Sequence, residues 1–267
     1  EDRGVFMNEK LNFKKELVKE AKQFILSKMD EDITIDTKSR RNDFVTNVDK
    51  GVEQFLIDAI QAKYENQNFV TEEAMIESSK EGDVWVIDPI DGTTNFIYYQ
   101  QNFAISIGYY EKGEAVFGVV YDVMADEMYW ALKGHGAYLN DRKLSKLDQE
   151  ETIEDAIFSG SLGFLRYFKE DPIEFNQKII AHRSIGSAAI EICQVASGRA
   201  HIYLARRLNL WDVGAALIIL NEVGGHWRYG DSLNVLNLDT NRNFFLAASS
   251  KHIFNYMNER IQEEAIQ

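Results

Sequence analysis

The 267-residue chain has one cysteine, Cys193, and two prolines, Pro89 and Pro172. One cysteine excludes an intrachain disulfide, and no C-x-x-C or His/Cys spacing suggests a zinc site. That usage suits a reducing compartment, and a cytoplasmic location is expected. No stretch of eighteen consecutive apolar residues occurs, so no membrane-spanning helix and no membrane partner are expected. The N-terminus lacks the basic-then-apolar pattern of a secretory signal. Residues 1–6, ahead of Met7, are left unassigned. Positive charge is also scarce. Lys and Arg total 29 against 43 Asp and Glu, a net charge of −14, which argues against a nucleic-acid partner. There is no internal repeat, low-complexity tract or Pro/Ser/Gly-rich linker. The 45% apolar and 27% charged content is that of an ordinary globular chain, long enough to bury a sizeable core.

Residues 9–27 read as an amphipathic helix, with Phe13, Leu17, Ala21 and Phe24 at helical spacing. A polar stretch follows from Asp36 to Asn42. A second apolar helical face comprises Val48, Val52, Phe55, Leu56, Ala59 and Ile60. Strands come next: Val84–Ile87, then Phe103–Tyr110 and Ala115–Tyr121 flanking a Glu111-Lys112-Gly113-Glu114 turn, then Glu127–Leu132 and Ala137–Leu139. After about residue 145 the pattern changes. Short strands at 156–159, 201–204 and 244–248 alternate with helical patterns near 173–180, 187–197, 212–223 and 250–264, as in an α/β layer. The expectation is two packed subdomains, 7–145 (α+β) and 146–267 (α/β), with the site in the cleft between them. Cys193 shares an apolar helix face with Ala189, Ile192 and Ala196, which assigns it to the core.

The segment richest in chemistry is Trp85-Val86-Ile87-Asp88-Pro89-Ile90-Asp91-Gly92-Thr93-Thr94-Asn95-Phe96. A buried strand is expected to end at Asp88, with Pro89 turning the chain. Asp91, three residues on, can face the same point. Gly92 permits close backbone approach, and Thr93, Thr94 and Asn95 suit the opening of a helix. Two carboxylates and the Ile90 carbonyl are ligands for hard divalent cations, while free N–H groups at a helix start bind phosphate oxygens. Three other segments are acidic beside an element boundary: Asp43–Asp49, Glu72-Glu73 after a strand-like Asn68-Phe69-Val70, and Trp211-Asp212 before an apolar helix. Taken singly, each of these reads as readily as a solvated acid or a helix cap. None of the five histidines falls inside these segments, which favours Mg²⁺ or Mn²⁺ over Zn²⁺.

The four segments, in this order, resemble the signatures of the inositol monophosphatase family, within the Mg²⁺-dependent, Li⁺-sensitive phosphatases. The matches are D-x-V-T-x-x-D at 43–49, Glu72-Glu73, W-V-I-D-P-I-D-G-T-T-N-F at 85–96 and W-D-V-G-A-A at 211–216. Segments 182–189 and 222–225 are also similar. The resemblance covers about residues 10–260. It implies a layered αβαβα sandwich of the inositol monophosphatase/fructose-1,6-bisphosphatase type and a homodimer. It implies two or three Mg²⁺ ions, with Mn²⁺ as the alternative. Glu72, Asp88 and the Ile90 carbonyl would hold one ion, and Asp88, Asp91 and Asp212 a second, with Glu72 also reaching a third. Asp49 and Thr93, with Glu72, would serve catalysis by orienting the attacking water. Asp91, Gly92, Thr93, Gly186, Ser187, Ala188, Arg206 and Asp212 would face a small phosphorylated metabolite. Li⁺ would inhibit by competing with the second ion.

This chain departs from the family pattern in two places. Thr71 stands where glycine is common before the Glu pair. Ala205 stands where an acidic residue contacts inositol hydroxyls in the animal enzymes, and Arg206 and Arg207 follow it. Two arginines there suit a second phosphate or a nucleotide, or are simply solvated cations. The implied activity is phosphomonoester hydrolysis of inositol monophosphate or a related sugar phosphate. The alternatives are fructose-1,6-bisphosphatase, NADP(H) phosphatase and 3′-phosphoadenosine phosphatase. A non-catalytic homologue would be expected to lack some ligands, and a Ca²⁺-binding structural module would lack the Thr93–Asp49 pair.

Overall fold

The computed structural model describes residues 2–31, 33–38, 41, 43–74, 78–240 and 242–265, the side chains of 2–7 and 162 excepted. Positions 39, 40 and 42 of the polar stretch and position 1 lie outside the described residues. The first part of the chain forms α1 (Asp2–Met29), β1 (Ile35–Thr37), β2 (Phe44–Thr46), α2 (Asn47–Lys63), β3 (Asn68–Thr71), β4 (Asp83–Asp91), α3 (Thr93–Tyr98), β5 (Ala104–Glu111), β6 (Glu114–Asp122), β7 (Glu127–Leu132), β8 (Ala137–Leu139) and β9 (Arg142–Lys143). The remainder forms β10 (Ile157–Gly160), α4 (Pro172–Lys178), β11 (Ala181–Arg183), α5 (Ala188–Ala196), β12 (Ile202–Leu208), α6 (Leu210–Val213), α7 (Ala216–Glu222), β13 (His226–Tyr229), β14 (Ser232–Leu233), β15 (Asn243–Ala248) and α8 (Lys251–Arg260).

Strand alternation sorts these elements into five layers. In the seven-stranded sheet β3-β4-β5-β6-β7-β8-β9, only β3 and β4 run parallel. One face carries Trp85, Ile87, Ile105, Ile107, Phe117 and Val119 and packs on Val18, Ala21, Val52 and Leu56 of α1 and α2. The opposite face, with Val84, Val86, Tyr110 and Val120, packs on α5 and α7 through Ile192, Val195, Leu217 and Leu220. Those two helices also cover Tyr203, Trp227, Phe245 and Ala247 of the second sheet, ordered β11-β10-β12-β15-β13-β14. Its far face, with Ile202, Leu204, Phe244 and Leu246, meets Phe175 of α4 and Ile253 and Met257 of α8. Period-two patterning thus places each strand between two apolar layers, giving the expected αβαβα sandwich.

Several elements depart from the reading of the sequence, which also did not mark β9, β11, β13 and β14 as strands. The stretch 36–42, read only as polar, begins within a strand: residues 35–37 pair antiparallel with residues 44–46. Their β-branched residues support a short hairpin without an apolar face to announce it. The helix expected over 212–223 is two, α6 and α7, broken at Gly214-Ala215. That break packs into the first sheet. A Cβ on Gly108 would lie 2.8 Å from the Gly214 carbonyl oxygen, and one on Gly118 only 2.4 Å from that of Ala215. Gly108 and Gly118 face each other in register on β5 and β6, so together they make a notch for the α6–α7 turn. The Tyr110 hydroxyl closes it, donating to the Gly214 carbonyl at 2.5 Å. Finally, β4 does not stop at Asp88 but continues through Pro89 to Asp91.

Candidate active site

The continuation of β4 makes the first part of the site. Asp88 pairs with Ser106 and Asp91 with Ala104, three steps on β4 against two on β5. One extra residue is therefore bulged, and Pro89, lacking an N–H, is tolerated there. In a regular strand, residues three apart point to opposite faces. The bulge corrects that parity and lets Asp88 and Asp91 face one centre. Gly92 follows at φ +96°, a left-handed conformation, and caps α3. A Cβ there would lie 3.1 Å from the Asn102 carbonyl oxygen and 3.3 Å from that of Gly186. The first bond of α3 runs from Phe96 N–H to Gly92 O at 3.0 Å, which leaves the earlier N–H groups to outside acceptors.

Asp212 arrives from the second sheet. It is the third residue of a capping box on α6, accepting from the Asn209 N–H at 2.6 Å. Because the α6–α7 turn sits in the glycine notch, Asp212 meets the end of β4. One oxygen from each of Asp88, Asp91 and Asp212 lies within 4.8 Å of the others. Each carboxylate also accepts a backbone N–H, local for Asp88 and Asp212 and from the start of α5 for Asp91. Asp88 Oδ1 accepts from Ile90 at 3.1 Å, and Asp91 Oδ2 from Ala189 at 2.7 Å and from the Ser187 hydroxyl. At an effective dielectric of about 20, two carboxylates ~4 Å apart repel by ~4 kcal/mol. Burial first, then repulsion from Glu72, Asp91 and Asp212, pushes Asp88 well above the usual carboxylate range. Burial and Asp91 do the same to Asp212. Asp91 is pushed up to about 7 by burial, against the opposing hydrogen bonds of Ser187 and Ala189. Three crowded carboxylates, Asp88 and Asp91 buried and Asp212 half-buried, beside a turn carbonyl fit a divalent cation, which would reverse the sign of this repulsion.

Asp49 supplies a second capping box, on α2: its Oδ2 accepts from the Thr46 N–H at 2.9 Å and from the Thr46 hydroxyl. Its Oδ1 accepts from Thr93 Oγ1 at 2.8 Å, and Thr93 Oγ1 also lies 3.2 Å from the Ile90 carbonyl oxygen. Burial raises the Asp49 pKa above the ordinary carboxylate value. Glu72 is in side-chain contact with Asp88 and takes the ammonium of Lys38 at 2.9 Å, while Glu73 takes it at 2.6 Å. Burial pushes Glu73 up to about 7 despite Lys38, and the two glutamates hold Lys38 above its usual value against burial.

The structure therefore brings Asp49, Glu72, Asp88, Ile90, Asp91, Gly92, Thr93, Gly186, Ser187 and Asp212 together. Ser187, read as a substrate contact, is buried and spends its hydroxyl on Asp91. Ala188 is buried in the first turn of α5. Arg206 is exposed, its guanidinium 5.0 Å from the centre of the Tyr167 ring. The reading of the residues gave Asn95 only a part in opening a helix; its side chain also ties the loop before α5 to α3 by donating to Ile185 O at 2.7 Å and Asn102 O at 2.9 Å. The reading passed over Glu53, which receives Thr71 Oγ1 at 2.7 Å and the Glu73 N–H at 2.8 Å. Glu53 had a signal: an acid on the buried face of α2, one turn after Asp49.

Comparison with known proteins agrees with this geometry. The profile of the Inositol monophosphatase family matches residues 7–264. The inositol-1-monophosphatase of Bacillus subtilis (strain 168) is 44% identical over 217 residues, 79% of this chain and 82% of that protein. Staphylococcal IMPase-II with inositol monophosphate bound superposes at a TM-score of 0.80 with 33% identity, covering 95% of this chain and 93% of the other. The same enzyme with 2′-AMP bound gives 0.80 and 33%, over 96% and 94%. With its aspartates, fold and near full-length match in agreement, the chain belongs to the inositol monophosphatase family and is a phosphoric monoester hydrolase.

Proposed function

We propose that the protein is a Mg²⁺-dependent phosphomonoesterase that hydrolyses inositol monophosphate or a related sugar phosphate with an activated water. The observation that carries this reading is the convergence of Asp88, Asp91 and Asp212 within 4.8 Å, beside a Thr93–Asp49 hydrogen bond. Glu72, Asp88, the Ile90 carbonyl, Asp91 and Asp212 would hold two or three Mg²⁺ ions, with Mn²⁺ as substitute. Bound there, the cations supply charge neutralisation for the phosphoryl group and lower the pKa of water toward neutrality.

The chain's own residues account for the rest. A hydroxyl has one proton, and Thr93 gives it to Asp49 at 2.8 Å, which leaves its lone pairs to accept from a water. Thr93 thus fixes the direction of the water's attack and passes its proton toward Asp49. The water oxygen bonds to phosphorus as the bond to the ester oxygen breaks, and the departing alkoxide takes a proton from a second, solvent water, while Asp49 later returns the first water's proton to solvent. The N–H groups of Gly92 and Thr93 receive phosphate oxygens at the start of α3. Gly186 and Ala188 border the substrate side, and Ser187 acts there through Asp91. In this reading the part up to residue 145 supplies most of the cage, and the part from 146 supplies Asp212 and the substrate wall.

Substrate choice is a second level of the proposal. Ala205 stands in place of the acidic hydroxyl contact of the animal enzymes, and the exposed Arg206 next to it adds a cation, which favours substrates bearing a second anion. A related enzyme sharing 33% identity has been solved with 2′-AMP as well as inositol monophosphate. Nucleoside phosphates, NADP(H), 3′-phosphoadenosine compounds and fructose 1,6-bisphosphate therefore stay on the panel. Phosphate release from these and from inositol 1-phosphate, with Mg²⁺ and with EDTA, tests the reading. Mg²⁺-dependent release from at least one is expected, and none from any would overturn it. The proposal also includes inhibition by Li⁺, a homodimer and a cytoplasmic site, checked by lithium titration, sedimentation and fractionation. Among the described residues no helix is long and apolar enough to cross a membrane.

A further inference from the structure

The loop that carries Glu72 is gripped on both sides by one buried carboxylate. Glu53 is fully buried on α2. Its Oε1 receives the Thr71 hydroxyl at 2.7 Å, and its Oε2 receives the Glu73 N–H at 2.8 Å. The two donors flank Glu72 in the chain, so its backbone is tethered immediately before and after. Thr71 is itself in register with Ile87, the neighbour of Asp88, at the end of β3. Glu53 also stands four residues after Asp49, on the same face of the same helix. Asp49 reaches from that face to Thr93 at 2.8 Å.

We propose that Glu53 is a positioning residue: it locks the Glu72 loop to the helix bearing Asp49, so the cation-holding and water-orienting carboxylates keep a fixed separation. Charge-assisted hydrogen bonds of this kind are short and directional, and both donors meet a carboxylate that is shielded from water. Thr71 completes the device, because its hydroxyl is one of the two points at which Glu53 holds the loop. The inference rests on the proposed Mg²⁺-dependent reading of the site.

The test uses the full chain and the variants Thr71→Val, Thr71→Ser and Glu53→Gln. The half-saturating Mg²⁺ concentration is read from thermal shift, and KM for inositol 1-phosphate is read at saturating Mg²⁺. Thr71→Val removes the hydroxyl and keeps the shape. It is expected to raise the Mg²⁺ half-saturation about tenfold, the scale of losses seen when an outer partner of a metal ligand is removed. KM at saturating Mg²⁺ should stay near native, and Thr71→Ser should return the Mg²⁺ value to within about twofold. Glu53→Gln, which keeps size but weakens both bonds, should raise it at least as far and gives the same reading should Thr71→Val fail to fold. A purely structural role predicts a lower melting temperature in EDTA with an unmoved Mg²⁺ half-saturation. That result, in a native protein that does respond to Mg²⁺, overturns this inference alone. A native protein with no Mg²⁺ response overturns the functional reading and this inference with it.

Discussion

Thr93 gives its hydroxyl proton to Asp49 at 2.8 Å, although the two residues lie 44 positions apart and on different elements. The bond exists because Asp49 is doubly committed: its other oxygen caps α2 through Thr46. Thr93→Ala should therefore lower kcat about 10²–10³-fold, within the range for loss of a positioned proton-transfer group. Mg²⁺ half-saturation should move little, and Thr93→Ser should recover most of the rate. Steady-state phosphate release decides it, and a Thr93→Ala enzyme with native turnover removes the pair from the mechanism.

The aspartate cage predicts a pH dependence of stability in the metal-free protein. The folded pKa of Asp91 is raised from 3.8 to about 7, and those of Asp88 and Asp212 are raised too. The folded state therefore binds protons more tightly than the unfolded chain, and stability falls as pH rises from about 4 towards neutrality and above. In EDTA the melting temperature should rise when pH is lowered from 8 to about 5. Saturating Mg²⁺ should flatten that dependence and raise stability most at the alkaline end. Identical melting curves with Mg²⁺ and EDTA across this range would falsify the cage.

Asp91→Asn separates charge from shape. It removes one repelling carboxylate while leaving an acceptor for Ser187 and Ala189. Expected outcomes are a higher melting temperature in EDTA, a smaller Mg²⁺-induced shift and a kcat lower by about 10²-fold or more. Near-native turnover would free Asp91 from any role in the reaction.

Away from the site, Lys14 offers a test of core electrostatics. Its ammonium group is fully buried, 3.3 Å from the centre of the Phe117 ring and 4.1 Å from that of Trp85, with no hydrogen-bond partner among the described residues. Burial, helped by the charge of Lys10, lowers its pKa well below 10.5. The unfolded chain then binds the extra proton, so the stability linked to Lys14 is present above about pH 10.5 and is lost as pH falls towards the depressed value. Lys14→Met should stabilise the protein at pH 7 by about 1–3 kcal/mol, and by less at pH 10. Equal shifts at both pH values would contradict the assignment.

The notch between β5 and β6 gives a mechanical prediction. Gly118→Ala would drive a Cβ to 2.4 Å from the Ala215 carbonyl oxygen, a backbone atom that cannot rotate away. A loss of about 1–3 kcal/mol is expected, the usual cost of overpacking. Because the displaced turn carries Asp212, Mg²⁺ half-saturation should also rise. Calorimetric unfolding with a metal titration on the same variant checks both.

Most of the layered fold was legible in the chain because period-two and helical patterns mark buried faces. The central strands from Val84 to Leu132 and the apolar helices around Ile192 and Leu217 stand where patterning puts them. The Asp88–Asp91 segment was legible from its own chemistry, but the other three acidic segments joined it only through their likeness to a family, since each alone reads equally well as a cap or a solvated acid. Indeed Asp49 and Asp212 are both caps and members of the proposed site. The bulge at Pro89 was hidden, because proline normally signals the end of a strand and parity correction depends on the neighbouring β5. The break at Gly214 was hidden for a similar reason: the surrounding residues favour one continuous helix, and only docking into the notch requires two. The Glu53 tether involves partners about twenty residues away, and no local pattern announces such a bond.

The paired glycines carry a wider consequence. Asp88 and Asp212 are separated by more than a hundred residues of intervening strands, loops and helices, yet their spacing is set at a single joint. Lengthening or shortening the connecting segments need not disturb that joint. Relatives of this chain could thus exchange whole surface loops, and with them their choice of ester, while the geometry of hydrolysis stays the same.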